Sequence, residues 1–333
     1  MSKKYETNIL PKNDNFKGAS LDKLAQLTEC PSNKASKGID FFKKLRAYKY
    51  LQNRDIIFPL INLHSKLEKQ YWHAYHCVDT IDVIDQRAVG YYCKTRICRI
   101  CSRILTAKLM NGYLPSIKAM QDKYFVTLTF RSVSRDDLPH AIDRMIFDIS
   151  KIIRHRQDNL RYKKLPIMNG VRKLECTFNH EKKTFHPHLH IVVDGFDNAK
   201  YIFDEWLRTH TDAVEDAQHM VKCDDKTTKE LFKYFAKIID GKHAFDAYSI
   251  DWMMQSMARR RIYQPFGNIR FIEEELDDDV KVDTELIQDD GSWVWFEQDW
   301  YNVNTGAALL GTSPDEDESF KKLCSKLVNY SNE

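Results

Sequence analysis

No stretch of this 333-residue chain approaches the roughly 18 consecutive apolar residues that a membrane-spanning helix needs. Residues Met1 to Glu6 lead into a polar segment without the apolar core of a secretory leader, so a cytoplasmic location is expected. There is no internal repeat and no low-complexity tract, which argues against a solenoid. No segment resembles the glycine-rich loop with which ATPases cradle phosphates, so any ATP-driven step falls to another protein. Charge of one sign does not dominate: 51 Lys and Arg stand against 48 Asp and Glu, a formal net of +3.

What is present is a chain of 43% hydrophobic residues, enough to bury a substantial core. The balanced total hides a local imbalance. From Arg87 to Lys164 there are 17 Lys and Arg against 6 Asp and Glu, and from Glu273 to Asp299 there are 12 acidic residues against one lysine. The basic stretch suits contact with a phosphate backbone, whereas the acidic one would be repelled by it and reads as a solvated or partner-facing element.

The order of hydrophobic periods divides the chain. Residues 1–38 are polar and aperiodic, as in a flexible arm. Residues 39–115 begin with helical spacing of Phe41, Phe42, Leu45, Tyr48 and Leu51, interrupted at Pro59, and continue into a cysteine-rich segment. Residues 116–270 switch period in the order β-α-β-β-α-β-α. That series predicts an α+β fold, an antiparallel sheet with helices on one face, of the ferredoxin or RNA-recognition type. Residues 271–333 form an acidic extension in which Trp293 to Phe296 reads as a late strand.

Two predicted strands carry the chemistry. Residues two apart on a strand share a face, so His186, His188 and His190 lie together, opposite Leu189, Ile191 and Val193. On the preceding strand Lys173, Glu175 and Thr177 share a face. If both apolar faces meet the helices, Glu175 joins the histidines, and two imidazoles with a carboxylate make an open site for a divalent metal, expected to be Mg or Mn. His186 competes with Glu175 as third ligand. The last predicted helix, about Thr227 to Ile239, places Glu230 one turn from Tyr234 and Lys237, with Lys233 alongside. A tyrosine of ordinary pKa near 10 needs nearby cations to become a nucleophile, and Lys233, Lys237 and the metal would supply them.

Upstream, Cys93, Cys98 and Cys101 fall within nine residues, amid Arg87, Lys94, Arg96, Arg99 and Arg103. Cationic neighbours favour thiolate, and Cys77 is the best fourth ligand for a closed tetrahedral zinc site, with His76 and His73 behind it. Such a zinc-ribbon-like element would present Arg96, Arg99 and Arg103 to DNA. Cys30, Cys176, Cys223 and Cys324 have no ligand spacing. After the last helix, Arg259, Arg260 and Arg261 precede Tyr263 and Phe266, a composition suited to backbone contact plus base stacking.

The segment His186 to Val193 resembles the second motif of the HUH endonucleases, and Phe125 to Phe130 is similar to their first. Arg172 to Asn179 followed by Thr184 to Pro187, together with Glu230 to Tyr234, resembles plasmid replication initiators of the Gram-positive Rep type. The likeness spans roughly Cys77 to Arg270, and includes a cysteine cluster in which the proline often found before the last cysteine is Ile100 here. It implies the HUH fold, His188 and His190 as metal ligands, Tyr234 as the single nucleophile and Glu230 as the later activator of water. It further implies nicking of origin DNA through a 5′-phosphotyrosyl link, and host helicase, DNA polymerase and single-strand-binding protein as partners. Two alternatives stay open: a relaxase or transposase of the same superfamily, and a non-catalytic zinc-ribbon DNA-binding protein.

Overall fold

The computed structural model describes residues 36–84, 87–232, 246–272, 282–283 and 291–311. The expected arm therefore lies almost wholly outside the described residues. The chain opens with α1 (Ser36–Gln52), a π-helical turn (Asn53–Ile57), α2 (Phe58–Ile61) and α3 (Glu68–Tyr75). Phe42, Leu45, Tyr48 and Leu51 line the buried side of α1, as their spacing requires. Pro59 does not break the path: it sits in the first turn of α2, and the π-helical turn that immediately precedes it locally rearranges the backbone hydrogen bonding there.

Ten strands follow among the described residues, interleaved with five more helices. In chain order these are β1 (Thr80–Ile84), β2 (Arg87–Gly90), α4 (Arg99–Lys118), β3 (Lys123–Thr129), α5 (Leu138–Tyr162), β4 (Gly170–Asn179) and β5 (Thr184–Asp194). Then come α6 (Phe196–Thr209), β6 (His219–Lys222), α7 (Asp225–Phe232), α8 (Ala247–Ser256), β7 (Tyr263–Phe266), β8 (Val282–Asp283), β9 (Gly291–Phe296) and β10 (Asp299–Asn302). The class is α+β with antiparallel pairing throughout, in two five-stranded sheets.

The first sheet runs β6-β3-β5-β4-β7. Val126, Leu128, Leu174, Leu189 and Ile191 turn one way and are buried against Ile142, Met145 and Ile149 of α5 and Ile202 and Trp206 of α6. The opposite face is apolar at one end only. There Phe125, Val171 and Val192 pack with Tyr113 and Ile117 of α4 and Leu231 and Phe232 of α7. Helices thus cover both faces, not one as the periodicity suggested. Strand alternation records which side chains share a face but not how far along that face a partner helix extends.

The second sheet, β10-β9-β1-β2-β8, changes the expected domain layout. Residues expected as a C-terminal extension pair with the cysteine-rich region: Ile81 stands opposite Trp293 and Asp82 opposite Ser292. Trp300 is fully buried and its indole N–H donates to the Val78 carbonyl at 2.8 Å. Arg46 of α1 and Asp299 are both buried and meet at 3.5 Å. Part of the acidic stretch is therefore structural, with Asp299 held inside rather than solvated.

Trp300→Ala should destabilise the protein by about 3–5 kcal/mol, the range for truncating a buried aromatic side chain. Denaturant unfolding followed by circular dichroism measures this, and a loss below 1 kcal/mol would mean that the C-terminal strands do not share the core.

Candidate functional site

The geometry of the polar sheet face starts from strand register. Glu175 on β4 stands directly opposite His188 on β5, and His190 pairs with Lys173 on one side and Thr127 on the other. The Glu175 carboxylate lies 3.7 Å from His188 Nε2 through Oε1 and 3.5 Å from His190 Nε2 through Oε2. Donor atoms about 2.1 Å from one ion stand roughly 3–3.5 Å apart, so this three-atom cluster has the span of a metal site. Glu175, His188 and His190 are brought together; His186 is not, because its Nε2 shares a 2.6 Å hydrogen bond with Thr129 Oγ1.

Each ligand-bearing side chain is held from behind. His188 Nδ1–H donates to the His186 carbonyl at 3.1 Å, which turns its Nε2 lone pair toward Glu175. His190 Nδ1 shares a 3.1 Å hydrogen bond with Thr127 Oγ1. Buried Lys173 donates to Glu175 Oε2 at 2.8 Å. Burial alone would raise the Glu175 carboxyl, but the charge of Lys173 and the two imidazoles hold it well below the usual carboxylate range. Burial lowers His190 and His186 below the ordinary imidazole value. Near neutral pH Glu175 is therefore an anionic carboxylate and His190 an uncharged imidazole, the forms that bind a cation. Strand parity indicated Lys173 on this face, and the register of β3 on β5 adds Thr127; their bonding roles depend on rotamers that a sequence does not display.

α7 lies over the apolar end of the same face. Asp224 caps it, accepting from the Thr227 N–H at 2.7 Å, and Tyr263 Oη donates to the Leu231 carbonyl at 3.1 Å near the other end. Phe232 stacks on Tyr263, with centroids 6.0 Å apart, in the cluster that includes Val192, two residues along β5 from His190. Glu230 falls within α7, while Tyr234, Lys233 and Lys237 lie outside the described residues.

The second cluster joins Cys77, Cys93, Cys98 and Cys101, whose sulfurs all lie within 4.8 Å of one another. Cys77 precedes β1 and Cys93 follows β2, so the hairpin brings them together, and Cys98 caps α4. Lys94 adopts a left-handed φ of 56°, aiming its N–H at Cys101 Sγ at 3.2 Å. Cys101 Sγ is 3.5 Å from both Cys77 Sγ and Cys93 Sγ, far beyond disulfide length and near the roughly 3.8 Å edge of a tetrahedron with ~2.3 Å metal–sulfur bonds. Hydrogen bonding from Cys101, Cys77 and Cys98 drives Cys93 far down toward thiolate. Cys176 and Cys223 are buried single thiols, and Cys30 and Cys324 lie outside the described residues.

The arginines expected at a DNA surface divide. Arg96 donates to the Met257 and Arg260 carbonyls, each at 2.9 Å, and so ties the cysteine cluster to the turn before β7. Arg99 is buried near Tyr48, Asp55 and Arg103, which takes it away from any solvent-facing surface. Arg103 lies 4.8 Å above the Tyr48 ring. Arg260 is paired with Asp143 at 2.6 Å, whereas Arg259 and Arg261 are exposed. The helical packing of α1 and α4 draws part of this cationic segment inward.

A family model described as "Replication protein" matches residues 86–302, from the start of β2 to the end of β10. A "Protein rep" of Staphylococcus aureus is 32% identical over 170 residues, covering 44% of this chain and 70% of its own. One of Bacillus sp is 28% identical over 109 residues, 31% of this chain and 34% of that protein. One of Streptococcus pneumoniae is 22% identical over 158 residues, 43% and 47% of the two chains. The alignments span about a third of the length of the Bacillus relatives. No solved structure matches.

Removing the Glu175 side chain outright would take away the 2.8 Å carboxylate partner of the buried Lys173 ammonium, so Glu175→Gln, which keeps an acceptor there, is the cleaner probe. It should weaken Mn binding, measured by titration calorimetry, by more than the roughly 10–100-fold that losing a metal ligand's outer-shell partner costs. His186→Ala should fall short of that range, and the reverse ranking would make His186 the third ligand.

Proposed function

The chain belongs to the replication protein family, and from that premise we propose that it is a rolling-circle replication initiator, an endonuclease of the HUH fold that nicks one strand at a plasmid or phage origin. The observation that carries this reading is the convergence of Glu175, His188 and His190 on the sheet face that α7 also covers. In this reading residues 116–270 form the nicking domain, and the cysteine-rich region, joined by the strands at 282–302, helps to recognise the origin.

The residues divide the work. His188, His190 and Glu175 would hold a divalent ion, Mg or Mn, whose charge offsets the negative charge that builds on the scissile phosphate. Tyr234 Oη attacks the phosphorus and forms the phosphotyrosyl bond, while the bond to the leaving oxygen breaks to give a 3′-hydroxyl primer. Lys233 and Lys237, one residue before and three after Tyr234 in the sequence, favour its phenolate. One tyrosine can serve only one transfer, so release of the displaced strand after a round calls for water, and Glu230 removes its proton. The four thiolates suit zinc in a closed, structural role rather than a catalytic one. Unwinding and synthesis then fall to a host helicase, a DNA polymerase and a single-strand-binding protein.

Incubation with a labelled single-stranded origin hairpin and Mn should give a cut and a covalent adduct on a denaturing gel. Tyr234→Phe should abolish the adduct, and Glu230→Ala should keep it while slowing hydrolytic release by about 10²–10⁴-fold. A persistent adduct in Tyr234→Phe would move the nucleophile elsewhere; binding without any cut would leave a non-catalytic DNA-binding protein.

Elemental analysis should return about one zinc per chain, lost in Cys98→Ser together with a lowered melting temperature, as expected of a structural four-cysteine site. Purified protein without zinc that melts at the same temperature as the variant would remove the metal from this cluster.

A further inference from the structure

On the sheet face away from the metal ligands, α5 and the turn leading into β7 enclose a cleft of about 540 Å³. Its floor is Arg172 of β4, only 3% exposed. Strand alternation turns Arg172 opposite to its neighbour Lys173, toward α5 rather than toward Glu175. Lys173 has the carboxylate of Glu175 as a partner, but the Arg172 Nη1 makes no hydrogen bond among the described residues. Buried charges are ordinarily paired, and an orphaned guanidinium calls for a counter-charge.

Among the described residues, none supplies one. Asp143 is the acidic residue lining the cleft, and Arg260 already occupies both its oxygens, at 2.7 and 2.6 Å. Arg259 and Arg261 stand exposed at the mouth, and Arg259 is held there by a left-handed φ of 60°. Burial, with the charge of Arg261, depresses the Arg172 guanidinium to about 10. Four arginines therefore face one aspartate, and the excess positive charge surrounds a space far larger than a water molecule.

We propose that this cleft is a second phosphate site, in which Arg172 and Arg261 grip a phosphoryl group on the side of the sheet opposite the nicking centre. Planar guanidinium forks match phosphate oxygens in pairs, and two such forks can hold the unesterified oxygens of a diester or a monoester alike. The Pro265–Phe266 wall offers apolar surface to an attached sugar or base. The phosphoryl group could belong to the backbone of duplex DNA flanking the nick or to a free nucleotide; the chemistry of capture is the same.

The test is calorimetric titration of the full chain with inorganic phosphate at matched chloride ionic strength, alongside thermal melting. Wild type should bind phosphate and gain melting temperature. Arg172→Met keeps the stem without the charge and should weaken that binding at least ~10-fold, as expected for a charged hydrogen bond. In phosphate-free buffer it should melt no lower than wild type, since it removes a buried unpaired charge. Arg261→Ala, a surface change, should weaken phosphate binding severalfold and decides the matter alone if Arg172→Met does not fold. Competition then separates the sources: displacement of phosphate by a duplex oligonucleotide assigns DNA backbone, and displacement by AMP but not by duplex assigns a nucleotide. Unchanged phosphate affinity in both variants, or an equal melting shift from chloride alone, would overturn the site.

Discussion

The antiparallel register of β4 on β5 is the constraint on which the site depends. Because Glu175 faces His188 across that ladder, a single-residue slip would turn either the carboxylate or the imidazoles toward α5. The register is held by burial on the other face, where Leu174 stands opposite Leu189 and both are sequestered under helices. Fixing the apolar pairs thus fixes which polar residues share the face, and the hydrogen bonds with Lys173, Thr127 and the His186 carbonyl then aim them at one another.

The polarity of that ligand face is divided along its length rather than across it. Phe125, Val171 and Val192 make one end a docking surface for α4 and α7, while Thr127, Lys173, Glu175 and the histidines form the other, polar end. This split brings a helix beside the cluster of Glu175, His188 and His190. The cysteine cluster is linked to the same framework through Arg96, whose two bonds to the turn before β7 connect the hairpin of β1 and β2 to the edge of the sheet that carries Glu175 and the histidines.

Much of this was legible in the sequence. Alternation placed Glu175 with the histidines, spacing identified the four cysteines, and the apolar period of α5 was read as the face that packs on the sheet. What remained hidden has a common physical cause, which is that it depends on segments far apart in the chain. Nothing local in Trp293–Phe296 says that it pairs with Thr80–Ile84, and nothing local in Arg99 says that α1 will bury it. Arg172 escaped notice for a related reason: a basic residue on an apolar strand face reads as an exception to the pattern until the helix opposite is known to leave a gap.

The pairing of β1 with β9 also bears on how the protein is made. Asp82 bonds to Ser292 across 210 residues, so the hairpin that carries Cys77 and Cys93 must wait for most of the chain to leave the ribosome. At elongation rates of about 5–20 residues per second that wait is roughly 10–40 s. Throughout it, the β1 edge has open hydrogen-bonding groups and the buried side of Trp300 does not yet exist, a condition that invites pairing with other nascent chains. Early capture of a metal by the cysteines would tie down the base of the hairpin and shorten the time for which that edge is free to move.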